Sequence, residues 1–170
     1  MRACLVTVLA LVAAGCGNEE ASIPSERVRR DASRANRRKG QPDKITMDQI
    51  LISFTGAYRS KTRTRTRDEA RKLAYSLLDR IRSGLSFQML KQEYSDDRSE
   101  RSGKANGPYV LTNFGVRGGV VSNGMPVLPR ANMEKGVADL GFALKVGEVG
   151  IADFDERHCK YGWHLLVRLK

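Results

Sequence analysis

The sequence has few of the residues from which metal sites and disulfide cross-links are built. Its 170 residues include three cysteines and two histidines. These lack the paired spacing of a zinc site, and the acidic segment at 153–156 does not follow a calcium-loop pattern. The glycines do not have the spacing of a phosphate-binding loop either. We therefore expect no metal and no cofactor.

A catalytic thiol is not indicated. Cys159 is close in sequence to His158 and His164, which is the composition of a thiol-protease site. Neither the order of these residues nor the sequence around the cysteine matches such a nucleophile motif.

Acidic residues are in deficit. There are 19 of them against 30 lysines and arginines, which gives a formal net charge of +11. Such a surface attracts anionic partners, including lipid headgroups, nucleic acids and acidic polypeptides. The basic residues are not interleaved with aromatic ones as in RNA-binding motifs, so we expect no nucleic acid. The alternative function, as a nucleic-acid-binding or envelope-structural protein, is supported by the net charge alone.

Long apolar runs are also missing. The run at residues 3–15 follows Arg2 and is too short to span a bilayer, which is typical of a secretory signal. It ends in small residues before Cys16, and this ending resembles the lipobox of bacterial lipoproteins. In that motif the cysteine is lipidated and becomes the mature N-terminus. Ala13 stands where a leucine is usual.

The lipobox resemblance implies a signal peptide at 1–16, lipidation of Cys16 and a membrane-anchored lipoprotein on the periplasmic face of the bacterial cell envelope. The alternative is a secreted soluble protein. Cys4 would leave with the signal, so Cys159 would have no partner for an internal disulfide.

Residues 17–44 are polar and basic and show no apolar periodicity. We interpret them as a flexible tether. The tether either lies against an anionic bilayer or is solvated without a partner.

Residues 45–170 have the patterns of a folded domain. Alternation around Ile50 and Ile52 predicts a first strand. Thr66 and Glu69 form a capping box before an apolar helical stripe that ends near Gly84. A shorter helix follows, with further elements predicted as a strand at 109–114, a helix at 133–144, and strands at 149–154 and 163–169.

The resulting element order is β-α-α-β-α-β-β. It predicts an α+β fold in which a small mixed or antiparallel sheet packs on helices. The segment 115–129 is rich in glycine, proline and asparagine and is interpreted as an exposed insertion.

The carboxyl-terminal half resembles the parvulin family (rotamase, PpiC-like) of peptidyl-prolyl cis-trans isomerases. The resemblance extends over about 48–170. It is carried by the segment from Met133 to Phe142, by Gly147-Glu148, and by the ending Tyr161-Gly162-Trp163-His164.

The resemblance implies a set of site residues. His164 matches the histidine of the last strand, and Asp97 matches a Cys or Asp after the second helix. Gln49 stands where the family has a first-strand histidine, and Cys159 stands where it has a hydroxyl. The implied residues of the proline pocket are Tyr109, Met133, Val137 and Phe142.

The implied activity is isomerisation of X-Pro bonds, assisting the folding of exported proteins. Unfolded or proline-containing polypeptides would be the substrates. Gln49 cannot change charge as histidine does, and Val137 offers less surface than phenylalanine, so we expect reduced activity. The alternative is a peptide-binding chaperone module of the same fold that has lost most or all of its catalysis.

The basic loop at 59–67 leaves two interpretations open. In some parvulins the corresponding loop binds substrate phosphate, and in an exported protein it would instead contact an acidic client segment or a membrane surface. The other interpretation is a solvated loop with no partner.

Overall fold

The computed structural model describes residues 40–60, 64–120 and 126–170. The predicted signal peptide, Cys16 and most of the tether lie outside these ranges. Strand β1 (Lys44–Ile52) is followed by helices α1 (Arg67–Arg82) and α2 (Phe87–Tyr94). Three strands come next, β2 (Tyr109–Thr112), β3 (Gly119–Val120) and β4 (Pro126–Pro129). A 3-10 turn at Arg130–Asn132 precedes α3 (Lys135–Ala143), β5 (Val149–Ala152) and β6 (Trp163–Arg168).

The strands form one sheet in the order β3-β4-β2-β1-β6-β5. Strand β1 lies at its centre, antiparallel to β2 and β6, and within the described ranges the β2–β4 pair alone is parallel. The predicted α+β fold with a mixed sheet on helices is therefore confirmed.

The segment 115–129 differs from the exposed insertion that the sequence predicted. It supplies β3 and β4, and β4 extends the sheet by pairing Val127 and Leu128 with Val110 and Leu111. The pairing satisfies backbone groups that an isolated insertion would leave to solvent. Residues 121–125 lie outside the described ranges.

The two faces of the sheet are covered by different helices. Ile50 and Ile52 of β1 pack with Leu77 of α1 and Leu165 of β6 on one face. The opposite face carries a second apolar cluster beneath α3, whose buried members include Ile45, Met47, Leu111, Val137, Phe142 and Leu166. Because side chains alternate along a strand, Gln49 and Leu51 follow Met47 onto the α3 face.

Helix α1 has the predicted amino-terminal cap. The Thr66 hydroxyl accepts a hydrogen bond from the backbone N–H of Glu69, whose carboxylate accepts the N–H of Thr66. This confirms the capping box.

The folded part begins before the predicted end of the tether at residue 44. Asn113 donates its side-chain amide to the carbonyl of Pro42 (2.9 Å), and its backbone N–H donates to the carbonyl of Asp43 (2.8 Å). The Gln41 side chain accepts a hydrogen bond from the buried guanidinium of Arg130. Residues 41–43 are therefore part of the domain.

Among the described residues, no helix is both long and apolar enough to cross a membrane.

Candidate active site

A cleft of about 660 Å³ lies on the α3 face of the sheet, where the middle strands meet the start of α3. Strand β1 contributes Gln49 and Leu51, and β6 contributes His164. The other residues that line it are Asp97, Tyr109, Leu128, Asn132, Met133, Glu134, Lys135, Arg157, Lys160 and Tyr161.

A carboxylate that accepts three hydrogen bonds forms one side of the cleft. Asp97 Oδ2 accepts from Gln49 Nε2 (2.6 Å) and from the Tyr109 hydroxyl (2.6 Å), and its Oδ1 accepts from Asn106 Nδ2 (2.7 Å). Three donors on a half-buried carboxylate fix its orientation.

Tyr109 is held as a neutral donor in this network. Burial raises the pKa of its hydroxyl well above the ordinary value, and the hydrogen bond to Asp97 raises it further. The hydroxyl therefore stays protonated across the physiological range, so its hydrogen bond to Asp97 is permanent.

His164 connects this network to the start of α3. Its Nδ1 lies 3.1 Å from Gln49 Oε1, and its Nε2 lies 3.0 Å from Glu134 Oε2. The His164 side chain is only 4% exposed, so both ring nitrogens are withdrawn from bulk solvent. Asp97, Gln49, His164 and Glu134 thus form one continuous polar row across the floor of the cleft.

Apolar side chains form a wall of the same cleft. It is made by the half-buried side chains of Met133 and Leu128 together with the ring of Tyr109. Leu128 belongs to β4, in the segment that the sequence assigned to an insertion. The wall is of the kind that a proline ring requires, because the ring has no polar atoms of its own to be satisfied.

Of the residues that the resemblance implied, the structure brings together Gln49, Asp97, Tyr109, Met133 and His164. The remaining implied residues, Cys159, Val137 and Phe142, are not among those that line the cleft.

These three residues are buried in the apolar cluster beneath α3. Cys159 packs against the first turn of α3, where a Cβ at Gly136 would lie 2.3 Å from its Sγ. Burial and the negative charge of Glu134 raise the pKa of the thiol to about 12, so Cys159 is neutral. Cys159 and Val137 therefore belong to the core on this face of the sheet and not to the cleft lining.

Glu134 and Lys160 are cleft residues that the sequence analysis missed. Glu134 Oε1 accepts the backbone N–H of Lys160 (2.6 Å), which holds the loop before β6 against α3. Glu134 directly follows Met133, but its partner His164 is 30 positions away, so no local pattern links the two.

The basic loop at 59–67 is described in part, because Lys61 and Arg63 fall outside the described ranges. Arg65 is bound within the domain, where it donates to Asp96 Oδ2 (2.7 Å) and to the carbonyl of Ser53 (3.0 Å). Arg59 lines a neighbouring cleft that shares Leu51, Asp97 and Tyr161 with the main one. In the described ranges, no cluster of three or more His, Cys, Asp or Glu side chains could hold a metal ion.

Comparison with known proteins agrees with this geometry. The family model described as the PPIC-type PPIASE domain matches residues 31–167. The chain therefore belongs to the PPIC-type peptidyl-prolyl isomerase (parvulin) family. No curated protein was found to match it.

Two similar solved structures share the fold. Peptidyl-prolyl isomerase ESS1 from Candida albicans is 23% identical with a TM-score of 0.53, over 75% of this chain and 63% of that one. TbPIN1, solved in solution, is 23% identical with a TM-score of 0.52, over 75% of this chain and 98% of that one. The chain thus spans less than two thirds of the length of the Candida albicans protein.

Proposed function

We propose that this protein is a peptidyl-prolyl cis-trans isomerase that acts on proline-containing polypeptides. One observation carries the proposal: in a chain of this family, the apolar side chains of Met133 and Leu128 and the ring of Tyr109 line the same cleft as the fixed carboxylate of Asp97. No bond has to be made or broken for this reaction, so a cleft with these two surfaces is sufficient.

The chemistry follows from the peptide bond itself. An X-Pro bond favours trans by only about 0.5–1 kcal/mol, but rotation costs about 18–20 kcal/mol because amide resonance is lost. The apolar wall would hold the proline ring while the preceding carbonyl rotates. The row from Asp97 to Glu134 is already oriented, so it can favour the twisted amide without reorganising. Stronger binding of the twisted state than of either planar state lowers the barrier.

The test is a protease-coupled assay on a short X-Pro peptide with wild type, Asp97→Asn and Asp68→Asn. We expect wild type to accelerate isomerisation and Asp97→Asn to lower kcat/KM by about tenfold, since a charge-assisted hydrogen-bond network is lost. Asp68 is exposed on α1 and outside the cleft, so Asp68→Asn should match wild type. A wild-type chain that gives no acceleration over solvent would refute the proposal.

A second candidate function is peptide binding with little catalysis. Gln49 supports it, because an amide occupies the position where the family has a histidine, and Val137 lies in the core rather than in the cleft. In this case the protein binds proline-containing peptides but leaves their isomerisation rate unchanged. Gln49→His should then raise turnover, whereas an unchanged rate would place the deficit elsewhere.

For the cellular context, we propose that the protein is exported, lipidated at Cys16 and assists the folding of exported polypeptides. The support is the run at 3–15, the small residues before Cys16 and the basic segment that follows. In a bacterial host, wild type should fractionate with membranes and carry lipid on the cysteine by mass spectrometry. Cys16→Ser should lose both, and equal fractionation of the two forms would contradict the anchor.

A further inference from the structure

The hydrogen-bond directions in the cleft determine which nitrogen of His164 carries a proton. Gln49 must present its amide nitrogen to the Asp97 carboxylate, at 2.6 Å, because its carbonyl oxygen would repel that group. The Gln49 oxygen therefore faces His164 Nδ1 at 3.1 Å, and Nδ1 must be the donor. This assigns one ring proton without reference to the other nitrogen.

The other ring nitrogen faces a carboxylate. His164 Nε2 and Glu134 Oε2 lie 3.0 Å apart, and in the described part of the chain neither atom has a hydrogen-bond partner elsewhere. Both side chains are buried, at 4% and 12% exposure. Two lone pairs at this distance in a buried site would repel each other, so a proton must lie between them.

We propose that Glu134 is a positioning residue that keeps His164 protonated on Nε2 and locks its ring in the floor of the cleft. With Nδ1 committed to Gln49 and Nε2 committed to Glu134, His164 has no free nitrogen to offer a substrate. It acts by holding Gln49, and through Gln49 it holds the Asp97 carboxylate against the apolar wall.

The second oxygen of Glu134 extends this role to the backbone. It accepts the N–H of Lys160, so the same carboxylate fixes the loop before β6. In the described ranges, the charged groups that line the cleft with His164 are Asp97, Glu134, Lys135, Arg157 and Lys160. Of these, Glu134 is in direct contact with the ring, and a cationic ring in a cleft lined by three basic side chains is stabilised by this anion.

The claim that Glu134 affects catalysis rests on the proposed isomerase function, whereas the claim that His164 is protonated on Nε2 does not. The decisive measurement is therefore side-chain NMR of the full chain labelled with ¹⁵N-histidine at neutral pH. His158→Asn identifies the His164 signals, since the protein has two histidines. We expect both nitrogens of His164 to be protonated in wild type. A ring that is unprotonated at Nε2 in wild type overturns the proposal, even if no variant can be purified.

Glu134→Gln is the informative variant, because the amide keeps the size and an acceptor for Lys160 but removes the charge. We expect Nε2 to lose its proton while Nδ1 keeps its own, and kcat to fall about tenfold with KM within about twofold. The control Glu156→Gln removes the same charge from an exposed position in the neighbouring loop and should change neither readout.

The outcomes separate the two claims. An unchanged His164 spectrum in Glu134→Gln, or an unchanged kcat beside a changed spectrum, overturns the positioning role. A wild type without isomerase activity refutes the proposed function, while the NMR result still decides how Glu134 holds the ring.

Discussion

Cys159 illustrates how surroundings change the chemistry of a single residue. The resemblance placed it at a catalytic hydroxyl position, whereas the structure buries it beneath the first turn of α3. A thiol there is a small apolar group with an elevated pKa, and its effect should appear in stability rather than in nucleophilic reactivity.

The stability effect has a definite sign. Burial raises the pKa of the Cys159 thiol from 9.0 to about 12, so the folded chain keeps a proton that the unfolded chain releases. The stabilisation is complete below pH 9.0 and is lost as the pH rises toward 12. Relative to Cys159→Ala, wild type should lose about 1.4 kcal/mol of unfolding free energy between pH 8 and pH 10. Denaturant titrations at several pH values check this, and parallel curves for the two proteins would contradict it.

Single residues of the site could be predicted where a local motif carries them. Asp97 and His164 lie in short segments that match the family, and both line the cleft. Glu134 and Leu128 could not be predicted, because their roles depend on contacts made by distant strands. Val137 and Phe142 keep the helical spacing that the sequence indicated, but only the packing of α3 decides that they face the core.

Among the secondary-structure elements, α2 is attached to β1 by a buried ion pair. Lys91 Nζ lies 2.6 Å from Asp48 Oδ1, and both side chains are at most 3% exposed. Gln88 of α2 also donates to the Asp48 carboxylate (2.8 Å), and the backbone N–H of Gln49 donates to it as well. The pair therefore positions α2, whose end leads directly to Asp97.

Lys91→Met should leave the Asp48 carboxylate buried without its cation. We expect a loss of roughly 3 kcal/mol or more in unfolding free energy. Lys72→Met removes a lysine from an exposed position of α1 and should change stability by less than about 0.5 kcal/mol. The double variant Asp48→Asn/Lys91→Met should recover part of the loss, and a double variant as unstable as Lys91→Met alone would argue against the ion pair as the cause.

The helices were predictable because their signals are local. The capping box at Thr66 and the apolar stripe after it determine α1 within one stretch of chain. Strands β3 and β4 were not predictable in the same way. Their sequence has the composition of a loop. Residues of β4 form a strand because they pair in parallel with β2, and this pairing is a tertiary contact.

At the scale of the whole molecule, the segment just before β1, residues 41–43, is a structural part of the domain. Gln41, Pro42 and Asp43 accept hydrogen bonds from Arg130 and Asn113. Arg130 is buried between the rings of Phe114 and Phe142, so these bonds reach the core of the α3 face.

A chain that begins at Lys44 should therefore be less stable than one that begins at Gly40. We expect a difference of about 2 kcal/mol in unfolding free energy, because several bonds to buried groups are lost. Thermal or denaturant unfolding of the two chains measures it, with the full chain as reference. Equal stability would show that 41–43 contribute nothing to the fold.

The sequence alone determined the helices, the central strands and the family, because caps, periodicity and short motifs act between near neighbours. It also determined the charge, which is a sum over residues. Only the tertiary structure decided which implied residues share the cleft, because sheet order and the seating of α3 bring together positions far apart in the chain. The packing of α3 on the sheet brings Glu134 into contact with His164, and the same packing buries Cys159 away from the cleft.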